Sequence, residues 1–416
     1  MSRKERQGIW ALRRLRVQWS SAVRDGRKAR GQRHEHRGLL NLLVAALACG
    51  RTTLRAMETF CEDVGGRARK AMRIPRLVSD STLYRVLSVQ GAAGLRETLR
   101  ATVDHLWKMG ALRNDLFRVG VMSIDGKGAW SSSTKELETA RATFSGFTGA
   151  PFWALGSLRA VLTSSRAHPC VDQELLAAKE GEATAFRMLF PRVVAAHGSK
   201  FQLVTGDAGL GARENAAQVV AHGKWYCFGL KGNQPSLMEL AKLSFKDGLA
   251  MPIVASTRER ADGETIIREL RVADVTPDDT DFPGATQLWC EWKRHHEDNG
   301  NRSLEIRHFV SAVPAERLSA EEKLALIRLH WGIENGHNWA MDVALEEDDA
   351  QPCQASPQAI EVLLWLRLIG FLLVSVFRAN APSKDKRPMP WKRAMEILRD
   401  VFVGIRNGEG ALVFAA

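Results

Sequence analysis

The feature that most constrains this chain is a change of hydrophobic period at Phe117. Ahead of it, apolar residues recur at helical spacing: Leu39, Leu40, Leu42, Leu43, Ala46 and Leu47 make one dense face, closed by Gly50. Further helices are predicted over 54–64 and from Ser79 or Asp80 onward, the latter opened by a capping side chain. After Phe117, the run 117–124 is apolar and β-branched, and extended stretches follow over 152–163 and 169–176. Residues 182–197 read as helix, 201–205 as a short buried strand, 212–222 as helix and 224–230 as strand. Three strands, helix, strand, helix, strand is an alternation that predicts a mixed α/β sheet with helices on its faces.

Residues 250–315 break the alternation. Segments 264–272, 286–292 and 303–313 read as β, joined by polar turns such as Asp298-Asn299-Gly300. Helix returns over 318–347, an apolar helix follows over 357–380, and a last short helix is predicted near 391–401. The longest uncharged apolar run, 368–377, is too short to span a bilayer and is expected as a buried helix.

Charge narrows the partner. Fifty-nine Lys and Arg against 47 Asp and Glu leave a net charge of +12. Residues 1–37 alone carry twelve Lys or Arg against Glu5, Asp25 and Glu35. Such a block suits a polyanion, because each neutralised phosphate releases counterions, although solvated basic tails look the same. The cysteines (Cys49, Cys61, Cys170, Cys227, Cys290, Cys353) are widely spaced with no CxxC pair. They suggest neither a zinc module nor a disulfide framework, and they fit a reducing cytosol. No secretory signal and no membrane association are read.

Two acids stand where buried-looking strands end: Asp125 after Val121-Met122-Ser123-Ile124, and Asp207 after Leu203-Val204-Thr205-Gly206. Ligands bind at such places, although an Asp there also caps turns. A third acid, Glu334, lies in a stretch of helical spacing with Ile327, His330, Trp331, Asn338 and Met341 near one stripe. A carboxylate half-buried on that face is costly unless it meets cations or hydrogen-bond donors, and a divalent metal is the economical partner. Three carboxylates from two strands and a helix make a site for hard ions such as Mg²⁺, and two such ions activate water and stabilise a leaving 3′-oxygen. No nucleophile elbow or P-loop is present. Lys127 and Lys231 are candidate phosphate contacts, with plain surface lysine as the alternative; His330 is a candidate contact to a phosphate or to Glu334, against a satisfied half-buried histidine; and Arg85 is a candidate DNA-reading residue on its helix, against a plain packing module. Trp331 and Trp339 read mainly as packing residues, and Glu347-Asp348-Asp349 as a solvated acidic turn.

Ile124-Asp125-Gly126-Lys127, Thr205-Gly206-Asp207-Ala208, Leu230-Lys231-Gly232-Asn233-Gln234-Pro235, His330-Trp331-Gly332-Ile333-Glu334-Asn335, and Met341-Asp342-Val343 with Glu347-Asp348 occur in this order. Together they resemble the successive motifs of ISAs1-group insertion-sequence transposases, within the IS4-like DDE class, from about residue 33 to about residue 375. The resemblance implies an RNase H-like core with Asp125 on its first strand, Asp207 on its fourth and Glu334 on a helix after an insertion. It implies a DDE transposase that cuts element ends and joins their 3′-OH groups to target DNA, using two Mg²⁺ (Mn²⁺ as substitute). The partners implied are double-stranded DNA and a second copy of the chain, in a bacterial cytoplasm at the nucleoid. The class pattern Tyr-x2-Arg-x3-Glu-x6-Lys is not kept, since Ile327, His330 and Met341 hold its other three places. The expected division is a basic arm (1–37), an N-terminal helical, DNA-binding domain (38–112), a first core part (113–240), a β-rich insertion (241–317), the Glu helix with a core helix (318–380), and a basic tail (381–416). A metal-dependent nuclease without strand transfer and a non-catalytic DNA-binding protein are the competing readings; retention of all three carboxylates disfavours the second.

Overall fold

The structure is a computed structural model that describes residues 16–133, 140–144, 149–177, 180–246, 251–261, 263–347, 356–381 and 389–403. Helices come first: α1 (His36–Ala48), α2 (Leu54–Asp63), α3 (Gly66–Ala71), α4 (Asp80–Val89) and α5 (Ala93–Lys108). The described half of the basic arm is not a free tail. Trp19 Nε1 donates to Asn41 Oδ1 at 2.7 Å, and the amides of Gln18 and Ser20 donate to the hydroxyls of Thr102 and Thr98 at 3.0 Å. Residues 1–15 and the tail lysines Lys384 and Lys386, with Arg387, lie outside the described residues.

The core runs β1 (Val121–Ser132), β2 (Arg141–Phe144), β3 (Pro151–Leu162), β4 (Cys170–Leu175), α6 (Glu182–His197), β5 (Leu203–Gly206), α7 (Arg213–Ala221), β6 (Trp225–Leu230) and α8 (Pro235–Ser244). Its sheet order is β4-β3-β1-β5-β6, with β3 and β4 antiparallel to their neighbours and β1, β5 and β6 mutually parallel. That is the RNase H-like order. The β-rich stretch then adds β7 (Ala255–Ala261), β8 (Glu264–Asp274), the single turn α9 (Pro277–Thr280), β9 (Gln287–Glu297) and β10 (Arg302–Ser311). It is inserted in sequence yet continues the same sheet, because β10 pairs antiparallel with β6 from His308↔Leu230 to Ser311↔Cys227. Strand β7 has too many charges, in Arg258, Glu259 and Arg260, for the apolar pattern to reveal it.

Side-chain alternation divides the sheet faces. Met122, Ile124, Val204, Tyr226 and Phe228 enter the large core, which also holds the N-terminal helices, α6 and the C-terminal helices. Val121, Leu203 and Cys227 point the other way, into a smaller core under α10 (Ala320–His330). Ser123, Asp125, Thr205 and Asp207 follow the same parity as Val121 and Leu203. They therefore face the element that leads to Glu334.

After α10 the chain forms a π-helical segment, Ile333–Asn338, then α11 (Trp339–Leu345), α12 (Pro357–Asn380) and α13 (Trp391–Val403). Helix α12 is long and apolar enough to cross a membrane, but 94% of its most apolar window is buried inside the protein. It packs on α1, α4 and α5, so the N-terminal helices and the C-terminal helix share one core.

Glu347 corrects the expectation of a solvated acidic turn; Asp348 and Asp349 lie outside the described residues. Its side chain is fully buried, and both oxygens accept from Arg159 of β3, at 2.6 and 2.9 Å. Arg159 is itself fully buried and sits opposite Asp125 in the β1–β3 register. This bidentate pair fastens the far end of α11 to the strand beside Asp125. Removing one partner strands a buried charge. Glu347→Gln is expected to cost about 3–5 kcal/mol in urea denaturation, with the Arg159→Met, Glu347→Leu double variant losing less.

Candidate active site

Asp125 does not end its strand. Parallel pairing with β5 stops at Ile124↔Gly206, but β1 runs on to Ser132 against β3 alone. The carboxylate therefore emerges where the sheet splits, with a free edge beside it. Asp207 follows the last residue of β5 and is half-buried; its Oδ1 accepts the Leu210 amide at 3.2 Å, so it does cap its turn. Glu334 is half-buried in the π segment. A π turn widens the helix by one residue per bond, and such bulges concentrate at functional sites. The turn before β4 wedges this one: a Cβ on Gly336 would collide with His168 Nδ1, so only glycine fits there.

The three acids share one field. Burial, then the charges of Asp207, Glu334 and Glu182, push the Asp125 carboxyl up to about 7. Burial and Asp207 likewise raise Glu334, against the pull of Arg307 and Lys231. Glu182 is the residue that sequence reading missed. It stands first in α6, and its carboxylate fills the space beside Gly126 and Gly209, the neighbours of the two aspartates; a Cβ at Gly126 would collide with its Oε1. Burial and Asp207 raise it, and Arg141 opposes. Its one sequence signal, an acid in a helix's first turn, is too common to single it out.

Asn338 enters the sequence pattern only as a member of its stripe. It is buried, its Nδ2 donates to Asp125 Oδ2 at 3.4 Å, and its Oδ1 has no partner among the described residues. Arg307, on β10 of the insertion, lies over the Trp331 ring at 4.5 Å and acts on Glu334. Lys231 is exposed beside Glu334, on a loop tethered by Asn233 Nδ2 donating to Ala208 O at 2.6 Å.

Other expected contacts lie differently. Lys127 sits inside β1 rather than past its end, is 8% exposed, and donates to Asp342 Oδ1 at 2.6 Å. Its ammonium is committed to α11. His330 takes the alternative expected for it, a satisfied half-buried histidine: Nδ1 is hydrogen-bonded to Thr205 Oγ1 at 3.0 Å, and burial depresses its imidazole to about 4. Trp339, expected in packing, is 54% exposed. Arg85 is exposed on α4, away from the acids in the chain's helical block.

Among the described residues, no group of three or more His, Cys, Asp or Glu side chains is arranged to hold a metal ion. The carboxylates share a field without sharing a coordination point. In kind they fit a hard divalent cation: every donor is an anionic oxygen, and their mutual repulsion is what a cation relieves.

Residues 148–369 match the transposase DDE domain family, more than half of the chain. The chain belongs to that family of DNA transposases. The match contains Asp207 and Glu334 and begins after Asp125. Similar proteins include putative protein YbfL of Escherichia coli K12, 25% identical over 61% of this chain and 67% of its own length. The H repeat-associated putative transposase YhhI of the same strain is also 25% identical, over 61% and 67%. Putative transposase YncI of E. coli O157:H7 is 29% identical over 41% of this chain and 44% of its own length. Among solved structures, a piggyBac transposase synaptic complex with hairpin DNA aligns over 96% of this chain and 80% of its own, at 9% identity and a TM-score of 0.46. The fold assignment rests on the strand order, not on that alignment.

The raised Asp125 carboxyl has a sign that can be checked. Between its unfolded value, about 3.9, and about 7, the metal-free folded protein binds more protons than the unfolded chain, so stability falls as pH rises through that window. Metal-free thermal denaturation should show a shallower loss in Asp125→Asn than in wild type over this range. Glu182→Gln, which removes one repelling charge, should lower the Asp125 titration midpoint read by infrared or NMR.

Proposed function

We propose that the chain is an insertion-sequence transposase of the ISAs1 group, and that Asp125, Asp207 and Glu334 are its metal-binding catalytic carboxylates. The observation that carries this reading is that Asp125 and Asp207 share one sheet face, with Glu334 on the π segment near enough to act on Asp125 and to feel Asp207. Two divalent cations, Mg²⁺ or Mn²⁺, would be held by these residues and would supply Lewis-acid polarisation of the phosphodiester and an acidified nucleophile. The first reaction adds water across a P–O bond at each element end, leaving a 3′-OH and a 5′-phosphate. In the second, that 3′-OH attacks a target phosphodiester; one P–O bond forms as one breaks, and a target 3′-oxygen leaves. Lys231 and Arg307 offset phosphate charge beside Glu334, while Asn338 holds one oxygen of Asp125.

Duplex DNA is the proposed partner, with two chains bringing two ends together in a bacterial cytoplasm. A cleft of about 780 Å³ on the helical block supports this reading. Lys28, Arg30, Arg33 and Arg85 line it, with Glu58 and Glu62 on the α2 side. Ser79, at the start of α4, and Thr82 in its first turn line the same cleft.

Purified protein incubated with its flanking element ends should release 3′-OH ends and joined products with Mg²⁺, and neither with EDTA. Asp125→Asn, Asp207→Asn and Glu334→Gln should each lower cleavage at least about 100-fold while leaving DNA retardation intact. Nicking without joining would favour the nuclease reading. Reversing Lys28, Arg30 and Arg33 to Glu should reduce the slope of log affinity against log salt by about 0.9 for each phosphate that is no longer neutralised.

A further inference from the structure

Four side chains form a continuous hydrogen-bonded chain beneath the acids. Ser123 Oγ is hydrogen-bonded to Thr163 Oγ1 and to Thr205 Oγ1, each at 2.7 Å, and Thr205 Oγ1 to His330 Nδ1 at 3.0 Å. Ser123, Thr163 and Thr205 are at most 2% exposed. The chain starts in the turn after β3, crosses β1 and β5, and ends on the last residue of α10.

The positions give it meaning. Ser123 precedes Asp125 by two residues and Thr205 precedes Asp207 by two, so each hydroxyl shares a sheet face with its aspartate. His330 stands four residues before Glu334, one helical turn away. Each proposed carboxylate thus has a member of the chain one structural repeat behind it. A hydroxyl between two partners can donate to one and accept from the other, so the row is satisfied internally while it ties its neighbours' rotamers together. Valine would fill these sites as well as serine or threonine, and a buried hydroxyl left unpaired is costly. A satisfied polar row inside a β core specifies a geometry that an apolar row of the same shape would not.

We propose that the Thr163–Ser123–Thr205–His330 chain is a register lock that sets the spacing of Asp125, Asp207 and Glu334, making Ser123, Thr205 and His330 positioning residues. This rests on the metal-site reading above. The π segment follows directly on the locked end, at Ile333. Without the His330–Thr205 bond, no side-chain hydrogen bond among the described residues ties α10 to β5, and Glu334 loses its height relative to Asp207.

The test reads Mn²⁺ affinity of the full-length protein by electron paramagnetic resonance, with no DNA present. Asp125→Asn must first weaken Mn²⁺ binding; if it does not, the metal-site reading and this inference both fail. Thr205→Val, close to isosteric, is then expected to weaken Mn²⁺ binding by about tenfold or more, and Thr205→Ser to recover it to within about threefold. His330→Asn, whose amide reaches the Nδ1 position, should recover more affinity than His330→Gln, whose amide reaches only Nε2. Ser123→Ala gives a second reading should Thr205→Val fail to fold. Affinity within about twofold of wild type for folded Thr205→Val or Ser123→Ala overturns the lock.

Discussion

The buried Arg159–Glu347 pair is the interaction on which the rest depends. Acids that repel one another have been brought to one side of a sheet, and repulsion alone would carry Glu334 away with its helix. The guanidinium and carboxylate meet in a bidentate fork, out of water, where the Coulomb attraction is least screened. It closes the end of α11, while the His330–Thr205 bond closes the end of α10. Between the two anchors lies the π segment with Glu334 and Asn338, and Lys127–Asp342 adds a third tie from β1 to α11. Held on both sides, that segment keeps its position against the field of the acids.

Like charges crowded at half-buried positions cost folding stability, and they set Asp125 apart from several other acids of the fold. Several carboxylates that tie elements together have cations directly on them: Glu347 on Arg159, Asp342 on Lys127, Asp104 on Lys200 at 2.6 Å. Burial raises Asp104, but hydrogen bonds with His197 and Lys200 and their charges outweigh it and hold the carboxyl down, to about 2. Asp125 goes the other way, because its neighbours are Asp207, Glu334 and Glu182 and its hydrogen-bond donors are an amide side chain and a backbone N–H. Asp172, between Arg96 and Arg192, is also raised, by burial, so what marks Asp125 is that acids rather than cations surround it.

Family membership and fold agree from separate directions. The match covers the region from before β3 into α12, and the strand order gives an RNase H-like core reaching back to β1. Asp125 lies ahead of the matched residues, yet the sheet puts it beside Asp207, since Ile124 pairs with Gly206.

Much of this was legible in the chain itself. The period change at Phe117, the short strands before Asp125 and Asp207, and the helix from Glu182 to His197 follow from local rules, because apolar spacing fixes which face each residue shows. The motif order carried the acids as a set. Local rules could not show that β1 continues past Asp125, because its later partner is β3 alone, through residues far along the chain. They could not join β10 to β6, bury Glu347 completely, or bring Glu182 beside Gly126. Each of these depends on contacts across long sequence separations, where a residue's charge partner and burial are set by what packs against it. The sequence by itself determined which residues carry charge, which strands are buried, and the face each side chain takes. The tertiary structure decided which charges are neutralised and which repel, because that depends on distance in space.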